Sequence, residues 1–117
     1  MDENCIFCKI IKGEIPSTIV YENEYVCAFK DLNPIAPVHV LVIPKIHIQD
    51  LEHVNEDNIK YVAKVQEAFK EVAKITGVNE SGYRVICNCG EDGGQEVKHL
   101  HYHLIGGKKL GTKIVND

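Results

Sequence analysis

Three of the chain's six histidines stand at strict two-residue spacing in His99-Leu100-His101-Tyr102-His103, followed by Leu104-Ile105 and Gly106-Gly107. In a strand, successive side chains point to opposite faces. The three imidazoles would then share one face, about 7 Å apart, with Leu100, Tyr102 and Leu104 on the other. On a helix the same spacing would scatter the rings over a wide arc. Imidazole titrates near neutrality, attacks as a nucleophile and binds metals. One histidine on a half-buried strand is ordinarily structural, whereas three in register point to chemistry. A catalytic zinc held by all three is disfavoured, because successive same-face positions of one strand are too far apart to close on one ion.

Cysteine is the second reactive residue type. Cys5 and Cys8 form a C-x-x-C pair, and Cys27, Cys87 and Cys89 bring the count to an odd five. Met1-Asp2-Glu3-Asn4 lacks the positive start of a signal peptide, which predicts a cytoplasmic protein without a disulfide framework. The C-x-x-C pair suits a metal, a redox couple, or two buried thiols packing a helix. The redox reading lacks the βαβ context it needs. Cys27, Cys87 and Cys89 read as packing residues.

The elements that must position these groups fit one domain, residues 1–117, which is long enough to bury a core unaided. A net charge of −4 does not favour non-specific binding to nucleic-acid polymers, and no apolar run has the length of a membrane span. Residues 5–12 have helical apolar spacing and stop at Gly13. Strands are predicted over 18–22 and 25–30, joined by a two-residue turn at Asn23-Glu24. A loop with two prolines, residues 31–37, leads to an apolar third strand over 38–43, in which His39, Leu41 and Ile43 share a face. Asn55 is the expected cap of a long helix closed by Gly77, its apolar stripe drawn from Ile59, Val62, Ala63, Phe69, Val72, Ala73 and Ile75. Strands over 83–88 and 97–105 follow, joined by the glycine-rich loop 89–95. The expected fold is α+β: a five-stranded antiparallel sheet with one long and one short helix mostly on one face, and the histidines in an exposed cleft. The loop's glycines would let backbone N–H groups approach an anion.

The run H-L-H-Y-H-L-I resembles the His-x-His-x-His signature of the histidine triad superfamily. I-F-C-K-I-I-K-G-E-I-P-S, A-F-K-D-L-N-P-I-A-P-V-H-V-L-V-I-P-K-I-H-I and G-Y-R-V-I-C-N-C-G-E-D-G-G-Q-E-V-K-H-L-H-Y-H-L-I-G-G look like its Hint branch, in order along nearly the whole chain. The resemblance implies a homodimer with one purine-nucleotide site per subunit and no organic cofactor. It implies hydrolysis of nucleoside 5′-phosphoramidates, or related nucleotide conjugates, through a nucleotidyl-histidine intermediate. His101 would be the nucleophile, its Nδ1–H held by a backbone carbonyl. His103 would contact the phosphate, and His39 matches another active-site histidine. Asn88 and the segment Gly94-Gln95-Glu96-Val97 would lie near the phosphate, with backbone donors at Gly94-Gln95. Asp31 would hold the ribose, and Leu32, Phe29, Phe7, Ile6 and Ile10 the base. Taken alone, these last apolar residues read as core and Asp31 as a turn cap.

Related proteins carry a structural zinc on an N-terminal C-x-x-C, a histidine after a P-K-x segment and the first triad histidine. Cys5, Cys8, His47 and His99 stand at those positions, and two thiolates with two imidazoles satisfy tetrahedral zinc. Two departures stand out. Glu96 replaces the family's usual Ser or Thr, and an ionised carboxylate cannot donate to a phosphate. The tail, residues 108–117, lacks the aromatic and proline ending of some Hint proteins. Three alternatives remain: a purine-nucleotide sensor or scaffold with little turnover, a dinucleoside polyphosphate hydrolase, and a zinc-dependent interaction protein.

Overall fold

The structure is a computed structural model describing residues 2–115; Met1 and the last two residues of the tail lie outside it. Helix α1 spans Ile6–Ile11. Strands β1 (Ile19–Glu22), β2 (Val26–Lys30) and β3 (Val38–Pro44) follow. A single 3-10 turn at Leu51–His53 precedes helix α2, Ile59–Thr76, and strands β4 (Tyr83–Ile86) and β5 (Tyr102–Gly106) complete the chain. The sheet is antiparallel throughout, in the order β1-β2-β3-β5-β4, as expected for this α+β pattern.

The two helices lie on opposite faces, which corrects the one-sided arrangement expected from sequence. Val26, Ala28, Val40, Val42 and Leu104 form one core with Val65, Ala68, Phe69, Val72 and Ala73 of α2. The alternate residues Cys27, Phe29, Leu41 and Ile43 form a second core with Cys5, Phe7 and Cys8 of the α1 segment. Strand alternation makes both faces of β2 and β3 apolar, so each needs a cover. His39 and His103 belong to the α1 face.

Several boundaries differ from expectation for identifiable reasons. The first hairpin connection is three residues, not two, because Asn23 Oδ1 accepts from the N–H groups of Tyr25 and Val26, at 2.8 and 2.9 Å. Asn55 Oδ1 accepts from Asp57 and Asn58 N–H, so it caps a turn that precedes α2 rather than the helix itself. Asn58 holds the cap position without a side-chain bond. Gly77 closes α2 with φ 79°, the left-handed conformation that glycine adopts without strain. The stripe is narrower than drawn: Ile59, Ala63 and Ile75 are exposed, whereas Val65 and Ala68 are buried.

The fifth strand starts at Tyr102, five residues later than expected, and β4 ends two residues earlier. Tyr102 pairs with Val42, so two further steps would bring Leu100 opposite Pro44. Proline has no N–H for a ladder bond. The Pro44 carbonyl instead accepts from His99 Nε2 at 3.1 Å, and Leu100 N–H turns to Ile48 O at 2.6 Å. Of the three histidines in the row, only His103 is in the ladder.

Candidate active site and metal centre

Ending the ladder before His101 frees the His99 carbonyl. It accepts the Nδ1 proton of His101 at 2.7 Å. With Nδ1 protonated and bonded, Nε2 of a neutral His101 keeps its lone pair, the state a nucleophile requires. The ring is 6% exposed, and Phe7 packs edge-on against it at 5.2 Å between centroids. The histidines therefore line a largely buried site, not an open cleft.

Hydrogen-bond polarity sets the next two rings. Ile35 N–H donates to His39 Nδ1 at 3.2 Å, which places the proton of a neutral His39 on Nε2. That Nε2–H donates to His103 Nδ1 at 2.9 Å, so His103 carries its own proton on Nε2 and can act as a donor there. Burial, with the neighbouring His101 and His39 rings, holds His103 down to about 4, so the ring stays neutral near pH 7. Asp31 Oδ2 lies 3.4 Å from His39 Nε2. Asp31, His39 and His103 bring three donor atoms together, but the His39 Nε2 atom that would face an ion already bears a proton. This group is a relay, not a metal cradle. Replacing His39 by Leu is expected to lower kcat about 10- to 100-fold with little change in KM, because the ring that orients His103 and fixes its proton on Nε2 is lost. Steady-state kinetics check it, and equal loss in kcat and KM effects from a collapsed site would contradict it.

The remaining expected positions divide. Asp31 is half-buried and Leu32 fully displayed at 92% exposure. Ile6 is exposed, Ile10 half-buried, and Phe7 and Phe29 are buried in mutual contact at 5.4 Å. Asn88 is half-buried beyond the end of β4, and Val97 packs on the α1-side core. The loop departs from expectation. Gly94 N–H is bonded to Glu91 O and Gln95 N–H to Gly90 O, both at 3.0 Å, so these two donors are used inside the loop. Gln95 also accepts from Gly90 N–H and donates to Gln49 O and Val97 O. Glu96 is exposed in a groove lined with Asp50, Glu91 and Lys98 that none of the active-site histidines lines. Gly93 is the tight point: a Cβ there would stand 2.4 Å from Cys89 O. Gly93→Ala is expected to cost about 1–3 kcal/mol or displace the loop. Chemical denaturation checks it; unchanged stability with an unmoved loop would contradict it.

On the other side of residue 99, Cys5, Cys8, His47 and His99 bring one donor atom each within 4.8 Å of one another. His99 Nδ1 lies 3.3 Å from Cys5 Sγ and 3.6 Å from Cys8 Sγ, and His47 Nδ1 lies 3.5 Å from Cys8 Sγ. Tetrahedral zinc at ordinary bond lengths separates sulfur from nitrogen by about 3.5 Å, so the donor set fits that ion. The bond from His99 Nε2 to Pro44 O turns the Nδ1 lone pair toward the thiols. Asp2 Oδ2 lies 3.8 Å from His47 Nε2, placing a carboxylate behind the nitrogen that faces away from the thiols. Sequence reasoning missed Pro44, Ile35 and Asp2. For Pro44 and Ile35 the acting group is backbone, which no side-chain motif announces; an acid three residues before the C-x-x-C was the available signal for Asp2. Cys27 and Cys87 are driven up to about 11 by burial and fit the packing role.

The model of the HIT domain matches residues 12–110. The chain belongs to the HIT family. It is similar to the purine nucleoside phosphoramidase of Escherichia coli, 42% identical over 116 residues, covering 99% of this chain and 98% of that one. It is similar to a 14 kDa zinc-binding protein of Zea mays, 48% identical over 111 residues, 93% of this chain and 86% of that one. Among solved structures, a HIT family hydrolase from Clostridium thermocellum superposes with a TM-score of 0.95 at 55% identity, covering 98% of this HIT chain and 100% of that one. These likenesses place the chain in the Hint-like branch of the family.

Proposed function

We propose that this HIT chain hydrolyses purine nucleoside 5′-phosphoramidates by covalent histidine catalysis. The observation that carries the reading is the 2.7 Å bond from His101 Nδ1 to the His99 carbonyl, which presents Nε2 as the nucleophile. Nε2 attacks the α-phosphorus, the P–N bond breaks, and the amine departs with its electron pair and a proton from solvent. Water then attacks the nucleotidyl-His101, the P–N bond to the ring breaks, and the nucleoside monophosphate leaves. His103 Nε2–H, oriented by His39, donates to the phosphoryl oxygens as charge builds on them. Asp31, Leu32, Ile6 and Ile10 offer the ribose and base contacts over a floor of Phe7 and Phe29. The name of the Escherichia coli relative supports the substrate class. The test is a panel of adenosine and guanosine phosphoramidates beside dinucleoside polyphosphates, with rapid acid quench to trap the adduct. Preference for the polyphosphates, or turnover without an adduct, would sink the reading.

In the same reading Cys5, Cys8, His47 and His99 hold a structural zinc, which supplies a fixed cross-link between the α1 segment, the β3 exit and the approach to β5. The working form is a homodimer. Tyr83 and Val85 on the edge strand β4 remain exposed beside Gln66 and Lys70 of α2, and Ile59 and Ala63 continue that helix stripe. An unpaired edge with an apolar flank is the kind of surface that a second copy covers. Val85→Lys is expected to shift the mass in light scattering from two chains to one; a wild-type monomer would contradict the dimer.

A further inference from the structure

Residue 99 belongs to two constellations at once. Its side chain points Nδ1 at the Cys5 and Cys8 sulfurs, and its carbonyl holds the Nδ1 proton of His101. A second bridge runs beside it. Phe7, which lies between the two cysteines on α1, packs edge-on against both the His99 ring, at 5.8 Å, and the His101 ring, at 5.2 Å. Cys5 is itself the cap of α1, accepting from Cys8 N–H at 3.3 Å. The tetrad therefore ties down the helix that carries Phe7 and the residue whose carbonyl selects the nucleophile's tautomer. Outside the ladder, among the described residues, this position is tied by the His99 ring to Pro44 O and by the next N–H to Ile48 O.

We propose that the Cys5–Cys8–His47–His99 centre is a positioning device for the nucleophile: metal bound there fixes the His99 carbonyl and Phe7, and through them the reactive tautomer and angle of His101. The proposal rests on the covalent-histidine reading above. His99 is on this view a positioning residue, acting through His101, and the zinc contributes to turnover without touching substrate. A centre that served stability alone would change melting and leave the protonation pattern of His101 as it was.

The test uses the full chain as purified. Metal content is measured, the metal is withdrawn with a chelator, and zinc is restored. Three readouts run in parallel: far-UV circular dichroism, kcat and KM on an adenosine 5′-phosphoramidate, and the nitrogen-15 imidazole spectrum, which reports which ring nitrogen of His101 bears the proton. The expected result is an intact dichroism spectrum, KM within about 2-fold, kcat lowered 10-fold or more, and a His101 signal averaged between tautomers, all reversed by zinc. His47→Ala, at the half-exposed corner of the tetrad, is expected to reproduce the metal-free values with zinc no longer able to restore them. His99→Ala keeps the carbonyl while losing the ligand and gives the same outcome if the coupling runs through the metal. Unchanged kcat and an unchanged His101 spectrum on metal removal would overturn the proposal, as would failure of the wild type to take up zinc. If no phosphoramidate is hydrolysed by any form, the function reading falls, and the spectrum still decides whether the tetrad governs the His101 tautomer.

Discussion

His101→Ala is expected to lower hydrolysis of an adenosine 5′-phosphoramidate by about 10⁴-fold or more and to leave no trappable nucleotidyl adduct. The expectation follows from the chemistry of the position. No other ring in the site presents a lone pair held in place by a bonded partner: His39 and His103 both carry their protons on Nε2, and His99 faces the cysteines. Losing the nucleophile therefore removes the two-step route instead of weakening one contact. Substrate binding should survive, because the proposed base and ribose contacts lie elsewhere. Calorimetric titration with a nucleoside monophosphate should give a Kd within a few-fold of wild type. Residual turnover above one per cent would assign the attack to another group. Strong loss of binding together with loss of turnover would point to a collapsed site.

Acid should destabilise the metal-free chain well above the range in which carboxylates titrate. Complete burial holds His99 down to about 4 against an ordinary value of 6.5. As pH falls through 6.5 the unfolded chain takes up this proton, and the folded chain does not until about pH 4. The unfolded state binds more protons throughout that window, so stability falls with pH. The span is worth about 3 kcal/mol. His103 is shifted in the same direction and adds to the slope, discounted because it is only half-buried. Asp50, held below its usual value by a hydrogen bond from His53, contributes only at lower pH. With zinc bound the same protonation must expel the ion, so metal release and loss of stability should coincide. Urea unfolding from pH 7 to 4, with and without zinc, measures both. A flat profile between pH 6.5 and 4.5 in the metal-free chain would refute the account.

Much of this site was readable in the residues. The alternating histidines, the C-x-x-C pair and the apolar β3 run carry their geometry in their spacing, and Gly77 marks a helix end through its backbone freedom. What escaped was decided by partners distant in sequence. Pairing with β3 cannot continue past Pro44, and that proline, not anything in residues 97–101, delays the start of β5. The second face of β2 and β3 is covered by α1, because both faces of these strands are apolar and α2 packs on only one of them. Gln95 is spent on Gln49 and Val97, contacts that a motif near a phosphate site does not reveal. Asn55 followed by Glu56 and Asp57 has the pattern of a helix start, yet the turn it nucleates leads to the cap at Asn58, the same residue type three positions on.

The strand order has a kinetic consequence. His39 and His103 meet across β3 and β5, and Leu41 pairs directly with His103 after the whole of α2 and β4 have intervened. Loop-closure entropy for such a connection must be met before its contacts return anything. His99, His101 and His103 therefore join His39, His47 and the two cysteines only when β5 pairs with β3. In a refolding experiment, helical signal from α2 should recover ahead of the proposed hydrolytic activity, and a nascent chain should lack that activity until β5 has left the ribosome and closed the sheet.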